Sequence, residues 1–193
     1  MAVFRYLTHP QVAIDPAVPV PQWGLSEVGR GRAEAFARSS LLAATTRVVA
    51  SDEVKAKETA AIIAASLGLD FSVEADMDEN DRSSTGFLPK DAFEAMADRF
   101  FARPDDSAEG WETARAAQIR VVGAFERLIR DHGDGDLLAV GHGAVGTLLY
   151  CHLAGLDIDR RHDQPAGGGN LFAVDPVTRM ALHGWKPLEA FDG

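Results

Sequence analysis

Two histidines stand where apolar, strand-forming runs end: His9 closes VFRYLTHP, and His142 follows DLLAVG. Two further runs end in polar groups. Ser51 follows RVVA, with Lys55 in the helix beyond it, and Glu79 follows FSVEADM, with Arg82 in the next few residues. An imidazole can be a nucleophile or a proton carrier, a carboxyl can move a proton, and a lysine or arginine supplies charge for an anion. Singly, each has an ordinary structural explanation. A strand-end histidine is commonly a hydrogen-bonding residue, Lys55 a solvated helix residue, and Glu79 one of an exposed acidic run with Asp76, Asp78 and Asp81. What joins them is a shared position, because ligands of open α/β sheets bind beyond the carboxyl ends of the strands.

The elements that would place them there follow from pattern. Strands are expected over 3–7, 47–50, 71–77 and 136–140, and a closing hairpin from NLFAVD and MALHGW. Helices are expected from LSEVGRGRAEAFARSSLL, with Ser26 as N-cap, and from DEVKAKETAAIIAASLG, with Ser51 as N-cap and Gly68 as stop. Further helices are expected from DAFEAMADRFFARP, ended by Pro104, from a long segment opened by Ser107 and closed by Gly133, and from GAVGTLLYCHLAG. Alternating strands and helices predict an α/β fold, a three-layer sandwich whose mostly parallel central sheet is covered on both faces. With no repeat, linker or low-complexity stretch, residues 1–193 are expected to form a single domain.

The chain has 193 residues, 46% apolar and 25% charged, enough for one sizeable core. Its net charge is −10, with no concentration of Lys and Arg, which argues against a nucleic-acid or anionic-membrane partner. A small anionic substrate would need local positive charge. The lone cysteine, Cys151, lies in an apolar helical run and reads as a core residue. Its scarcity, and an N-terminus without a basic-then-apolar leader, fit a reducing cytoplasm. No apolar run is long enough to span a bilayer.

The stretch LAVGHGAVGTLL carries Gly141-x-Gly143-x-x-Gly146, the spacing of a dinucleotide fingerprint. The fingerprint should open a βαβ unit and lead to a strand with an acid at its tip, whereas here one helix is followed by DIDRR, and little chain remains. The glycines therefore read as turn and packing residues, and no cofactor is expected. The DHGDGD segment reads as a helix end rather than a calcium loop, Gly167-Gly168-Gly169 as a flexible lead into the hairpin, and the remaining histidines show no metal-ligand spacing.

Read together, these motifs resemble the histidine phosphatases, which include the cofactor-dependent phosphoglycerate mutases. That family carries Arg-His-Gly at the end of its first strand, where this chain has Thr8-His9-Pro10. Its Arg-Ala-x-x-Thr-Ala helix start is matched by Lys55-Ala56-Lys57-Glu58-Thr59-Ala60, its acid after the third strand by Glu79, and its His-Gly by His142-Gly143. LSEVGRGRAEAF is similar to its first helix, and the resemblance runs from about residue 3 to about 175.

The resemblance implies phosphoryl transfer. His9 would attack phosphorus and become a phosphohistidine. Protonated His142 would hold an equatorial oxygen, Lys55 would add charge, and the helix starting at Gly143 would aim its free N–H groups at the same anion. Glu79, kept protonated by burial and the phosphate, would donate to the leaving alcohol and then deprotonate water. Three departures stand out. Thr8 replaces one phosphate-holding arginine, Lys55 replaces the second bidentate fork with a point charge, and Pro10 removes a backbone donor. Arg82, or less favourably Arg5, could compensate. The expectation is a phosphomonoesterase acting on a small phosphate-containing substrate. The alternatives are a mutase and a weakened phosphate-ester-binding or regulatory domain, and selectivity would lie in loops 10–24 and 80–112. The sequence carries no signal for oligomeric state.

Overall fold

A computed structural model describes residues 2–191. Strands β1 (Phe4–Thr8), β2 (Thr45–Ala50), β3 (Phe71–Val73), β4 (Asp136–Gly141), β5 (Asn170–Val174) and β6 (Ala181–Pro187) form one sheet in the order β3-β2-β4-β1-β5-β6. The first four run parallel, while β5 is antiparallel to β1 and to β6. β1 and β4 are buried at every residue, as a strand covered on both faces must be.

Among the described residues five α-helices cover the sheet: α1 (Glu27–Phe36), α2 (Val54–Leu67), α3 (Lys90–Ala102), α4 (Ala114–Arg130) and α5 (Gly143–Leu153). The pleat of β1 divides the core. Phe4 and Tyr6 join residues of α3, α4 and α5 on one face, and Leu7 joins residues of α1 and α2 on the other. The expected three-layer α/β architecture is the observed one. Among the described residues no helix is long and apolar enough to cross a membrane.

Ser26 caps α1 by accepting from Gly29 N–H at 3.1 Å, and α2 stops at Gly68, whose φ of 68° closes a left-handed cap. Four boundaries differ from expectation. α1 ends at Phe36, and Ser40–Leu42 form a separate 3-10 turn instead of continuing it. β3 ends at Val73, because the Glu74 side chain accepts from Asp76 N–H and starts a 3-10 turn over 75–77. The long helix begins at Ala114 rather than after Ser107. Glu109 and Gly110 adopt φ of 50° and 86°, Ser107 donates to the Trp111 carbonyl, and Thr113 supplies the cap. Glu53, not Ser51, occupies the N-cap position of α2, and the Ser51 hydroxyl turns elsewhere.

Candidate active site

The strand order settles which loop residues can meet. β4 lies between β2 and β1, so the residue after each strand is set in one row: Ser51, His142, His9. The ladders run on past the strand ends, with Ser51 N–H and His9 N–H donating to the carbonyls of Val140 and Gly141, both at 3.0 Å. The two imidazoles come edge to face with ring centres 5.2 Å apart and planes at 66°.

Each ring is fixed by a neighbour. His9 Nδ1 lies 2.8 Å from the Pro10 carbonyl, an oxygen that only accepts, so Nδ1 carries the proton and Nε2 keeps its lone pair. Burial lowers the His9 pKa to about 4, against the bond to Pro10, and the charges of Lys55 and Arg82 push the same way. His142 is fully buried. Its Nε2 lies 2.6 Å from the Ser51 hydroxyl, which itself accepts from Glu53 N–H at 3.4 Å. With the hydroxyl proton in the bond to Nε2, the ring proton stands on Nδ1, a buried nitrogen with no partner among the described residues. Burial pushes His142 well below the ordinary histidine value, with Glu53 opposing and His9 adding to the shift. Burial therefore favours the neutral ring.

Glu53, which sequence reading passed over, stands at the centre. One carboxylate oxygen lies 3.6 Å from His142 Nε2 and accepts from Glu79 N–H at 3.0 Å, while the other pairs with the Lys55 ammonium. Burial alone would raise this carboxyl, but the charge of His142 when that ring is protonated, the Lys55 ammonium and the Glu79 N–H outweigh it and hold it at about 2. Lys55 is only 3% exposed and also donates to the Val20 carbonyl at 2.9 Å. Its charge is adjacent to the histidines but already engaged.

Glu79 reaches the start of α5, where its two oxygens accept from Ala144 and Val145 N–H at 3.2 and 3.1 Å. The helix N-terminus that was expected to face an anion is thus met by this side chain. Arg120, on α4, holds the Glu79 segment by donating to the carbonyls of Asp76, Asp78 and Glu79 and to the Glu112 carboxylate. Arg82 lies over the rings of Phe93 and Trp111, 5.2 and 5.6 Å from their centres.

The other expected phosphate ligands are placed differently. The Thr8 hydroxyl is wholly buried; it donates to Gln164 Oε1 at 2.6 Å and accepts from Asn170 N–H at 3.0 Å, joining β1 to the start of β5. Gly143 opens α5, and a Cβ there would lie 2.4 Å from the Gln164 amide nitrogen. Arg5 is excluded as a substitute: it pairs with Asp136 at the start of β4, the opposite end of the sheet. The neighbouring glycines of the dinucleotide-like motif are packing residues, since a Cβ on Gly141 or Gly146 would lie 2.2 or 2.5 Å from the Tyr6 ring system. The Tyr6 hydroxyl accepts from His142 N–H at 3.0 Å and donates to its carbonyl at 3.2 Å, fixing the second histidine's backbone from beneath.

Against this geometry, residues 19–175 match the sequence profile of the histidine phosphatase superfamily (branch 1). The chain belongs to the histidine phosphatase superfamily. No curated protein matches the sequence. Among solved structures, Bacillus stearothermophilus YhfR superposes with a TM-score of 0.76 at 18% identity, covering 95% of each chain. The mycobacterial glucosyl-3-phosphoglycerate phosphatase in complex with inorganic phosphate gives 0.74 at 20% identity, covering 96% of this chain and 95% of that one. The Entamoeba histolytica phosphoserine phosphatase in complex with 3-phosphoglyceric acid gives 0.74 at 14% identity, covering 91% of each. At these identities the neighbours establish the histidine phosphatase fold. Glu53, Tyr6 and Arg120, and the bond from Ser51 to His142, were missed in sequence because they depend on which strands are neighbours, which no local spacing records.

Proposed function

We propose that this protein is a phosphomonoesterase working through a phosphohistidine at His9. The observation that carries the reading is the histidine pair itself: a neutral His9 whose Nε2 lone pair is left free by the Pro10 bond, beside a buried, unpartnered Nδ1 donor on His142. In this reading Nε2 of His9 attacks phosphorus as the ester P–O bond breaks, and the alkoxide takes a proton from Glu79, which lines the adjoining cavity and is protonated beside the arriving dianion, one oxygen giving up its bond to the start of α5. Water, deprotonated by Glu79, then attacks the phosphohistidine, the P–N bond breaks, and inorganic phosphate leaves. His142 donates to an equatorial oxygen, and the arriving dianion favours its protonation, which burial alone opposes. Lys55 adds its charge by exchanging the Val20 carbonyl for a phosphate oxygen. That some fold neighbours are phosphatases supports the reaction class.

A second reading, a phosphate-ester-binding domain with little turnover, is favoured by one observation: the Glu53 carboxylate beside His142 already engages Lys55. Single-turnover labelling with an aryl phosphate separates the two. A phosphohydrolase gives acid-labile, base-stable protein phosphate that disappears in His9→Ala, together with a fall in turnover of about a thousandfold or more. Anion binding without label or turnover would replace the first reading with the second.

A further inference from the structure

Beside the histidine pair lies a cavity of about 780 Å³ that meets it through Glu53 and Glu79. One wall is apolar, made by the proline-rich loop 16–21 and Phe87. Trp23 seats that loop by donating from its indole to the carbonyls of Asp15 and Val18, and its ring packs 5.6 Å from Phe87. The facing wall is polar and unevenly charged: five carboxylates, on Glu53, Asp78, Glu79, Asp81 and Glu112, against two guanidiniums, on Arg82 and Arg120.

Arg120 is neutralised by Glu112 and tied to backbone carbonyls, so it offers little to a ligand. A bound phosphoryl group would draw on Lys55 and Arg82. The remainder of the substrate would face the leftover acids and one further group, Asn80. Asn80 lines the cavity at only 3% exposure, yet its carboxamide Nδ2 has no hydrogen-bond partner among the described residues. A buried amide donor left without a partner is costly, so a ligand oxygen that meets it is favoured.

We infer that the cavity selects phosphomonoesters whose alcohol part is uncharged or cationic and carries a hydroxyl oxygen for Asn80, and that it rejects esters whose alcohol part bears a carboxylate. This rests on the phosphomonoesterase reading of the same site, so binding and turnover are measured separately. Calorimetry on His9→Ala protein compares glycerol 1-phosphate, O-phosphoethanolamine and 3-phosphoglycerate. A carboxylate among uncompensated acids is expected to weaken binding about tenfold or more. Both non-acidic esters should therefore bind at least about tenfold more tightly than 3-phosphoglycerate. Asn80→Ala should weaken glycerol 1-phosphate about fivefold to tenfold. Asp81→Asn, a change at an exposed loop position, should narrow the gap to 3-phosphoglycerate several-fold, and it keeps the inference testable if the Asn80 variant does not fold. Equal or tighter binding of 3-phosphoglycerate, or no binding of any of the three, overturns the inference. Failure of the wild type to turn over p-nitrophenyl phosphate while the binding preference holds would instead remove the hydrolase reading and leave the selectivity standing.

Discussion

Glu53 controls how much positive charge an incoming phosphate meets. Its carboxylate holds the Lys55 ammonium and stands 3.6 Å from His142. Glu53→Gln keeps the shape and removes the charge. Two opposite effects are expected. Breaking a buried ion pair lowers stability by about 3 kcal/mol, read as a shift of the denaturant midpoint. Anion affinity rises, with inhibition by orthovanadate or inorganic phosphate strengthened about tenfold at pH 7. Unchanged or weaker inhibition would mean that Glu53 does not compete with the anion. Sequence concealed this residue because an acid two positions before a helix lysine reads as a partner of the helix dipole. His9, His142 and Glu79 were legible because each follows an apolar run. Thr8 was misplaced for the opposite reason: its position matches a motif, but its hydroxyl is taken up by Gln164 and Asn170.

At the scale of elements, the loop before β5 is the part whose role was least visible. Its three glycines read as a flexible lead, yet all have positive φ, and Arg32 donates to the carbonyls of each. Gly169 N–H donates to the His9 carbonyl at 3.0 Å, and a Cβ on Gly168 would lie 2.4 Å from the same oxygen. Gly168→Ala combines left-handed strain with a backbone clash against the His9 carbonyl. It is expected to cost about 2–3 kcal/mol and, on the proposed role of His9, to lower kcat more than it raises KM. Gly155 has a similar φ of 65° with open space around it, so Gly155→Ala should cost about 1 kcal/mol and leave kcat unchanged. Equal kcat losses in the two variants would show that strain, not contact with His9, matters. The helix after Trp111 shows the same limit of local reading. Ser107 is a plausible cap by type, but burial of Trp111 and the turn at Gly110 postpone the helix to Thr113.

Across the whole molecule, alternating apolar strands and helices made the layered sheet legible, whereas the strand order, and with it the Ser51–His142–His9 row, was not. That row ties folding to acidity. Burial holds both histidines below their ordinary value, His9 from 6.5 to about 4, so the unfolded chain binds more protons than the native one across that interval. Their contribution to stability is complete above pH 6.5 and is lost as the pH falls through about 4. Glu53, lowered from 4.5 to about 2, adds a second loss between those values. Melting temperature should therefore decline in two stages, with the first reduced in His9→Asn. A curve flat from pH 7 to 4 would contradict the assignment of two buried neutral imidazoles.

Arg5 and Asp136 form the other enclosed ion pair, at the tail end of β1 and β4. Four residues of strand, on the order of 13 Å, separate it from His9. Exchanging that pair for a matched apolar couple, Arg5→Met with Asp136→Leu, should leave the melting point equal or higher and catalytic constants untouched. The base of the β-sheet thus offers an engineer a place to harden the scaffold while its chemical rim stays as evolution left it.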